Sequence, residues 1–477
     1  MRGYLTVYLS LSLALILSLV LTMVEGARLS TVRMEAECAG DIAMNSVLAE
    51  FHRELLEQYD LLFVDMSYGT GTCRIENSAG HLRTYMQKNF TGQEDSLFPV
   101  RDWLSLTVDK AAIKEYSLAS DDGGNVMKAQ ALVYMKGTSA EGAAAGILEQ
   151  IGEVQSLGLD TRNIAEERNS IQGQIDEVEL PTKEDENGEQ KEISLDNPAD
   201  KVNEARSSLL LSLLLGEESA GISGAAADTD QYISHRERMK GSGPPPGYRQ
   251  PDGAVNQLLF DAYLFDKCGW YGNEMKKSLL KYQIEYIIAG NGSDMKNLEK
   301  IAERLLAWRE VANVIYILSD SAKCAEAEAL ALTLTAVLQV PALAEPVKYS
   351  ILFAWAFLES MYDVRSLLKG GKVPIMKTSA DWKTGIGQVA GFSGNAPEGE
   401  TGGQGLDYKD YLRIMLYLEQ GEAKNMRAMD IMEMDIRQTP GNSRFRMDGC
   451  FDSFLSELSV ESGFGYRFEI QKRYSYN

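Results

Sequence analysis

Cysteine and histidine are the side chains here most able to perform nucleophilic chemistry, and Cys73 and His81 lie close together in the sequence. A cysteine activated by a neighbouring imidazole is a common catalytic nucleophile. The same residues also fit an unpaired cysteine near a turn and a histidine on the surface, and we favour that interpretation. His52 and His235 have no second histidine four residues away, so the zinc-protease pattern is absent.

A second group with chemical potential is acidic. Asp430, Glu433 and Arg437 lie at helical spacing and present their side chains on one face. Such a group can bind a cation, but it more often forms an ion-paired helix face, which is the interpretation we favour. Asp121 and Asp122 stand beside two glycines without the spacing of an EF-hand calcium loop.

Carboxylates from distant segments could also converge on one hydrolytic site. The candidates for that alternative are Asp121, Glu285, Glu359 and Asp430. The glycine-rich stretch 385–391 lacks the glycine spacing of a nucleotide loop, and neither Gly-Lys-Ser nor Gly-Lys-Thr occurs in the chain. No nucleophile, base and oxyanion donor can be assembled from these motifs. We therefore assign no catalytic, cofactor-binding or metal-binding residue and expect no enzymatic activity and no cofactor.

The elements around these residues begin with an apolar run. Residues 4–24 contain no charged side chain, and a helix of this length spans the hydrocarbon core of a bilayer, which is about 30 Å thick. The membrane-anchoring residues are predicted to be Leu5, Val7, Leu9, Leu11, Leu13, Leu15, Ile16, Leu17, Leu19, Val20 and Leu21. The alternative is a secretory signal cleaved after Gly26, although this apolar run is longer than a typical signal core.

A helical stripe follows the apolar run. Apolar residues recur at steps of three and four from Leu29 to Leu55, so the membrane helix is predicted to continue outside the bilayer to near Tyr59. Arg2 lies on one side of the run, and Arg28 and Arg33 lie on the other. We expect a single-pass protein of the cell membrane whose large acidic domain is extracytoplasmic.

Composition limits the partners. The formal charge is −22, with 69 acidic and 47 basic residues, which argues against nucleic acid because phosphate binding needs clustered Lys and Arg. The five cysteines are widely spaced and do not form a disulfide framework. The expected partners are membrane lipid, through the N-terminal helix, and other proteins.

Periodicity and linker composition predict an α+β fold. It combines an N-terminal transmembrane helix extended into the ectodomain, small antiparallel β elements and a mainly helical central domain. The predicted segments are a membrane anchor at 1–25, an extended helix with a small β-containing region at 26–151, an acidic mobile linker at 152–205, a short helix and Gly/Pro-rich linker at 206–253, a helical domain at 254–384, a Gly-rich loop at 385–405, and a helix with a C-terminal β-hairpin at 406–477.

Two resemblances add to this prediction. Residues 2–11, followed by 25–28, resemble the start of TadE/TadG-like pilus-assembly proteins, whose pilin-type leaders end in glycine before an apolar helix. That resemblance implies possible leader cleavage at Gly3. True pilins have Glu five residues after the cut, where this sequence has Tyr8.

The rest of the chain resembles an uncharacterised domain-of-unknown-function family of Gram-positive bacteria. The matching stretches are 285–290, 354–359, Trp382 and 474–476. The resemblance implies that the protein accompanies Tad/Flp-type pilus or secretion loci, and it implies no activity. The sequence thus favours a non-enzymatic component or accessory of such an apparatus, with a membrane-anchored extracytoplasmic hydrolase and a surface adhesin or binding protein as alternatives.

Overall fold

The structure is a computed structural model, and it describes residues 2–91, 104–136, 144–184, 190–192, 195–206, 210–248, 250–392, 394–419 and 421–476. The α-helices, numbered α1 to α16 in chain order, are Arg2–Leu48, Arg53–Tyr59, Ile75–Thr91, Asp121–Lys136, Ala144–Ser156, Ile164–Asp176, Pro198–Ala205, Leu210–Leu215, Ala254–Lys267, Gln283–Ala289, Asp294–Ser319, Ser321–Leu338, Ala344–Leu368, Ile386–Ala390, Tyr408–Leu418 and Glu422–Arg437. The strands β1 to β6 are Val64–Asp65, Thr107–Leu118, Thr182–Glu184, Gln190–Glu192, Cys450–Glu461 and Arg467–Ser475.

The chain folds into two compact units, each assembled from separate stretches of sequence. Unit 1 comprises Met1–Gly137, Asp230–Asn256 and Gly421–Asn477, and unit 2 comprises Thr138–Thr229 and Gln257–Gln420. The predicted segments describe the linear order of the chain, and as a division into domains they stay a prediction.

An antiparallel sheet is the centre of unit 1. Strands β2 and β6 both pair with β5 over most of its length, so β5 lies between them, and β1 pairs with the start of β5. The β5–β6 pairing confirms the C-terminal hairpin that alternation of apolar residues predicted. Helices α1 and α3 pack against this sheet, and their apolar side chains form one core with Phe454 and Leu458 of β5.

The second half of α1 belongs to this core. Its buried residues include the predicted positions Val32, Ala36, Ala39, Ala43 and Val47. Small residues on this face let helix and sheet approach closely. At Gly40 an added Cβ would lie 3.2 Å from Leu458 Cδ1, so even alanine there would press on the sheet.

The predicted extent of α1 is wrong. The helix ends at Leu48, and α2 covers Arg53–Tyr59 after a break. The backbone of His52 is extended, its N–H donates to the Phe63 carbonyl (2.8 Å), and its Nδ1 accepts from the Leu55 N–H (3.2 Å). His52 therefore caps a new helix, an effect of local hydrogen bonding that apolar periodicity does not encode.

Unit 2 is built around α13, which packs against α11 and α12. Residues 350–358 of α13 are all buried, so this apolar stretch is a core helix of unit 2. Residues 329–338 are similarly apolar, but α12 buries only Ala331, Thr335 and Leu338 in that stretch. Among the described residues, Tyr4–Leu48 is the single helix that is long and apolar enough to cross a membrane.

Two further local predictions need correction. Segment 152–205, predicted as a linker, contains α6 and α7, because Ile164, Ala199 and Val202 supply buried contacts. The most polar part of it, 185–189, lies outside the described residues. The Gly-rich loop predicted at 385–405 contains the short helix α14, Ile386–Ala390, whose Val389 is buried. The α+β fold class, with a long N-terminal apolar helix and a small antiparallel sheet, is confirmed.

Candidate functional site: an exposed apolar helix and two buried charge clusters

The first half of α1 exposes its apolar side chains. All the predicted anchor residues from Leu5 to Leu21 are exposed, with Leu13 at 65% and Leu15 at 71%. Such a surface is unfavourable in water by about 25 cal/mol for each Å² of apolar area. The exposed half is therefore compatible with an apolar environment such as a bilayer. Gly3 lies in the first turn of this helix.

Four serine and threonine hydroxyls in the apolar run are satisfied within the helix. The hydroxyls of Ser10, Ser12, Ser18 and Thr22 donate to backbone carbonyls three or four residues earlier, at 2.5–2.9 Å. Lipid offers no hydrogen bonds, so internal partners remove the main cost of placing these hydroxyls in it. The helix is compatible with single-pass anchoring, and a secretory signal sequence passes the same test of length and composition.

Cys73 and His81 do not form a nucleophile pair. His81 Nδ1 lies 2.9 Å from Glu50 Oε1, and Glu50 also accepts from the hydroxyls of Tyr85 (2.5 Å) and Tyr68 (3.0 Å). Burial raises the pKa of the Cys73 thiol from 9.0 to about 11. The thiol is therefore protonated at neutral pH, which makes it a poor nucleophile. The arrangement is a carboxylate shared by three donors.

The first buried charge cluster lies in unit 1 and links α16 to Arg236. One guanidinium nitrogen of Arg236 lies 2.5 Å from Glu433 Oε1, and another lies 2.7 Å from Asp448 Oδ2. Arg437 approaches the other Glu433 oxygen at 3.1 Å, and Arg446 contacts Asp448 at 2.8 Å. Burial raises the pKa of Asp448, but hydrogen bonds from Arg446 and Arg236 outweigh it and hold the pKa at about 2. The cluster is thus internally paired.

Asp430 lies on the same helix and has different partners. It accepts from the Ser234 N–H at 2.9 Å and from the Ser234 hydroxyl. Among the described residues no group of three or more His, Cys, Asp or Glu side chains is arranged to hold a metal ion. The helical spacing of Asp430, Glu433 and Arg437 therefore serves contacts within unit 1.

The second cluster lies in unit 2, where α11, α13 and the segment after α13 meet. Arg309 Nε lies 3.0 Å from Asp363 Oδ2, and its Nη1 donates to the carbonyls of Pro374 (2.8 Å) and Ile375 (2.7 Å). Lys377 contacts Glu359 and lies 2.5 Å from Asp363 Oδ1. Two cations and two carboxylates, all buried, give zero formal charge.

Glu359 has further donors in this cluster. It accepts from the N–H groups of Lys383 (3.0 Å) and Thr384 (2.8 Å) and from the Thr384 hydroxyl (2.7 Å). A buried carboxylate with this many donors is held firmly in place. A small cleft of about 70 Å³ adjoins the cluster and is lined in part by Lys372, Lys377 and Glu400.

Unit 2 also contains a larger cavity, of about 390 Å³. Its apolar wall includes Leu210, Leu306 and Phe357. Arg206 lies over the Phe357 ring at 3.7 Å and forms a bidentate pair with Glu310, at 2.6 and 3.0 Å. The described lining residues include no Ser, Cys or His, so they offer no nucleophile–base pair.

The four carboxylates proposed for a hydrolytic site have separate partners. Asp121 accepts from the N–H groups of Leu118 (3.0 Å) and Gly241 (3.1 Å) in unit 1. Glu285 accepts from the Tyr271 N–H (2.8 Å) and the Tyr408 hydroxyl (2.9 Å) in unit 2. Neither shares a hydrogen-bond partner with Asp430 or Glu359, whose partners are given above. The structure does not bring these carboxylates together around a common group.

Glu285 gives a pH-dependent prediction for unit 2. Burial raises its pKa from 4.5 to about 7, so the folded state keeps a proton that the unfolded state releases. The proton's contribution to the free energy of unfolding is fully present below the pKa of Glu285 in the unfolded state. It is lost as the pH rises through the pKa of Glu285 in the folded state, and the total loss is about 3 kcal/mol. Urea titrations of Glu285→Gln should show a flatter decline in unfolding free energy between pH 5 and 8. Glu303→Gln, at an exposed position, is the control and should keep the wild-type slope of unfolding free energy against pH. A wild-type slope in Glu285→Gln would contradict the prediction.

Sequence reasoning did not identify Arg236, Asp448, Arg309 or Lys377 as clustered residues. Arg309 did carry a signal, since it stands within the apolar stripe of α11 where a charged side chain needs a buried partner. Lys377 lies in a loop and had no such signal.

Comparison with known proteins gives one match. Residues 187–462 match a family described as a family of unknown function, DUF5702. This range includes both buried charge clusters and the stretches 285–290, 354–359 and Trp382, whereas α1 and the stretch 474–476 lie outside it. No curated protein and no solved structure matches the chain. Because the matched residues are more than half of the chain, the protein belongs to the DUF5702 family of unknown function.

Proposed function

We propose that this protein is a non-enzymatic, single-pass membrane protein with an extracytoplasmic folded region, and that it is a component or accessory of a Tad/Flp-type pilus or secretion apparatus. The observation that carries the proposal is the division of α1. Its first half exposes the apolar run, and its second half is buried in the core of unit 1. A continuous helix of this kind connects a bilayer to a folded unit without a flexible linker.

The buried charges support a structural role over a catalytic one. Catalytic groups need unusual protonation and access to a substrate. Burial raises the pKa of Glu433 to about 7, but Glu433 is fully buried and, like Asp448, is paired with arginines, so it is not open to a substrate. Glu359 and Asp363 are buried and paired with Lys377 and Arg309. Pairing of this kind fixes the local geometry of each unit.

The pilus assignment is supported by the resemblance of residues 2–11 and 25–28 to TadE/TadG-like proteins. The outward orientation is proposed because the region after the anchor is strongly acidic, which is consistent with an exported domain.

Topology and processing can be tested on the native protein. Intact mass of the chain purified from membranes should show residues 4–24 retained, with or without loss of the first three residues at Gly3. Protease added to cells without their wall should degrade the region after residue 26. A mature chain that starts after Gly26 and is released as a soluble protein would contradict the anchor. Protection of the folded region until the membrane is permeabilised would contradict the orientation.

The partners can be tested by crosslinking in intact cells followed by purification and mass spectrometry. Recovery of Tad/Flp-type pilus or secretion proteins would support the assignment. A full-length, membrane-bound preparation crosslinked only to unrelated proteins would contradict it. That result would support the membrane anchor and contradict the pilus role.

A further inference from the structure

The turn between β5 and β6 is held against α1 just beyond the apolar run. Ser462 N–H donates to the Tyr466 carbonyl at 2.8 Å, and Gly465 N–H donates to the Ser462 carbonyl at 2.9 Å. Gly463 N–H donates to the carbonyls of Leu104 (3.1 Å) and Ser105 (3.0 Å). These bonds fix the position of the turn within unit 1.

Phe464 occupies the tip of this turn and is 46% exposed. The guanidinium carbon of Arg28 lies 4.3 Å from the centre of its ring, and Arg28 also bonds to Glu25 at 3.3 Å. A single exposed aromatic residue is common on soluble proteins and has no meaning alone. Its contact with α1 gives it a definite depth relative to the apolar run.

That depth follows from helix geometry. Arg28 is four residues beyond residue 24, the end of the uncharged run, which is about 6 Å along the helix axis. Side chains on a helix lean toward its N-terminus, so the Arg28 side chain leans toward the apolar run. The headgroup layer on each side of a bilayer is about 5–8 Å thick. Any bilayer spanned by residues 4–24 therefore brings its headgroups to Arg28 and Phe464.

We propose that the Phe464 turn is a second membrane contact, with its ring at the boundary between headgroups and acyl chains. Phenylalanine side chains of interfacial segments insert at this boundary, and Arg28 is placed to meet lipid phosphates. The inference rests on the proposed anchor. It adds that unit 1 is held at two points, the helix and the turn, so its orientation to the membrane is fixed.

Depth-dependent fluorescence quenching tests the contact. The full-length Phe464→Trp variant is reconstituted in vesicles of phosphatidylcholine and phosphatidylglycerol, with lipids brominated near the headgroup end of the acyl chains. The signal of the five native tryptophans is removed by subtracting the wild-type protein. We expect the added tryptophan to be quenched roughly twofold or more by the brominated lipid, as for an interfacial aromatic side chain.

Val133→Trp is the matched control in the same unit. Val133 is 59% exposed, and Gln130 on the same helix bonds to Leu62 and Asp452, at the end of β5 opposite the turn. This tryptophan should be insensitive to brominated lipid and open to aqueous iodide. If the protein floats with the vesicles but iodide quenches the two variants equally, the Phe464 contact is overturned and the proposed anchor is not. That result would also be expected if the turn binds a protein partner. Failure of the protein to float with vesicles would overturn the anchor and the inference together.

Discussion

Replacing Lys377 with methionine should lower the unfolding free energy of unit 2 by about 3–5 kcal/mol, the usual cost of removing one partner from a buried ion pair. Lys377 is buried and contacts Glu359 and Asp363, both fully buried. Methionine fills a similar volume but leaves two carboxylates opposite Arg309 alone. The cluster would then carry an uncompensated negative charge in a low-dielectric site, which is the reason for the large effect.

Guanidinium titration of the full-length protein in detergent, followed by tryptophan emission, measures this loss. Trp270, Trp308, Trp355 and Trp382 belong to unit 2, so most of the signal reports on it. Lys383→Met is the matched control, because Lys383 pairs with the exposed Glu400 at 3.5 Å. An exposed pair contributes about 0–1 kcal/mol.

The double variant Lys377→Met with Glu359→Gln separates charge from packing. It restores zero formal charge to the cluster and should recover part of the stability lost in Lys377→Met, as a positive coupling in the double-mutant cycle. Equal losses in Lys377→Met and Lys383→Met, or no coupling with Glu359→Gln, would show that the buried pair does not stabilise unit 2.

The double variant Leu13→Arg with Ile16→Arg should be released from membranes. Each arginine near the centre of a spanning helix costs about 3 kcal/mol, so two shift the partition by roughly 10⁴-fold. Both side chains are exposed, at 65% and 59%, so neither supports the core of unit 1. Fractionation with an alkaline carbonate wash, followed by immunoblotting, should find the variant in the soluble or degraded fraction and the wild type in the pellet.

The same chemical change elsewhere provides the control. Leu332 and Val337 on α12 are exposed at 52% and 78%, and arginine at both positions should leave the protein in the membrane pellet. Wild-type retention of the Leu13/Ile16 variant after the carbonate wash would show that α1 is not the anchor.

Local patterns predicted much of the fold. The stripe from Val32 to Val47, the buried α13 and the C-terminal hairpin each follow from the spacing of apolar side chains over a few turns or residues. The end of α1 at Leu48 did not follow, because it depends on the hydrogen bond from His52 to Phe63. The exposure of Leu332 and Val337 also did not follow, because apolar composition alone does not show which neighbours cover a helix.

The residues of the candidate site likewise include some that local patterns predict and others that they do not. The anchor residues could be predicted individually, since the preference for lipid is close to a sum over side chains in one continuous helix. The partners of Glu359 could not, because Lys377 lies in a loop and Thr384 in a later segment. The Cys73–His81 pairing was a false lead from sequence proximity, since Glu50 supplies the partner of His81.

By itself, the sequence determined the apolar helix, the helical and strand periods, and the absence of a recognised catalytic motif. The tertiary structure decided which ions meet in each buried cluster, that β5 lies between β2 and β6, and that Phe464 lies against Arg28. The physical reason is range. Hydrophobic transfer and backbone periodicity are set by neighbours along the chain, whereas charge pairing and depth are set by segments that only folding brings into contact.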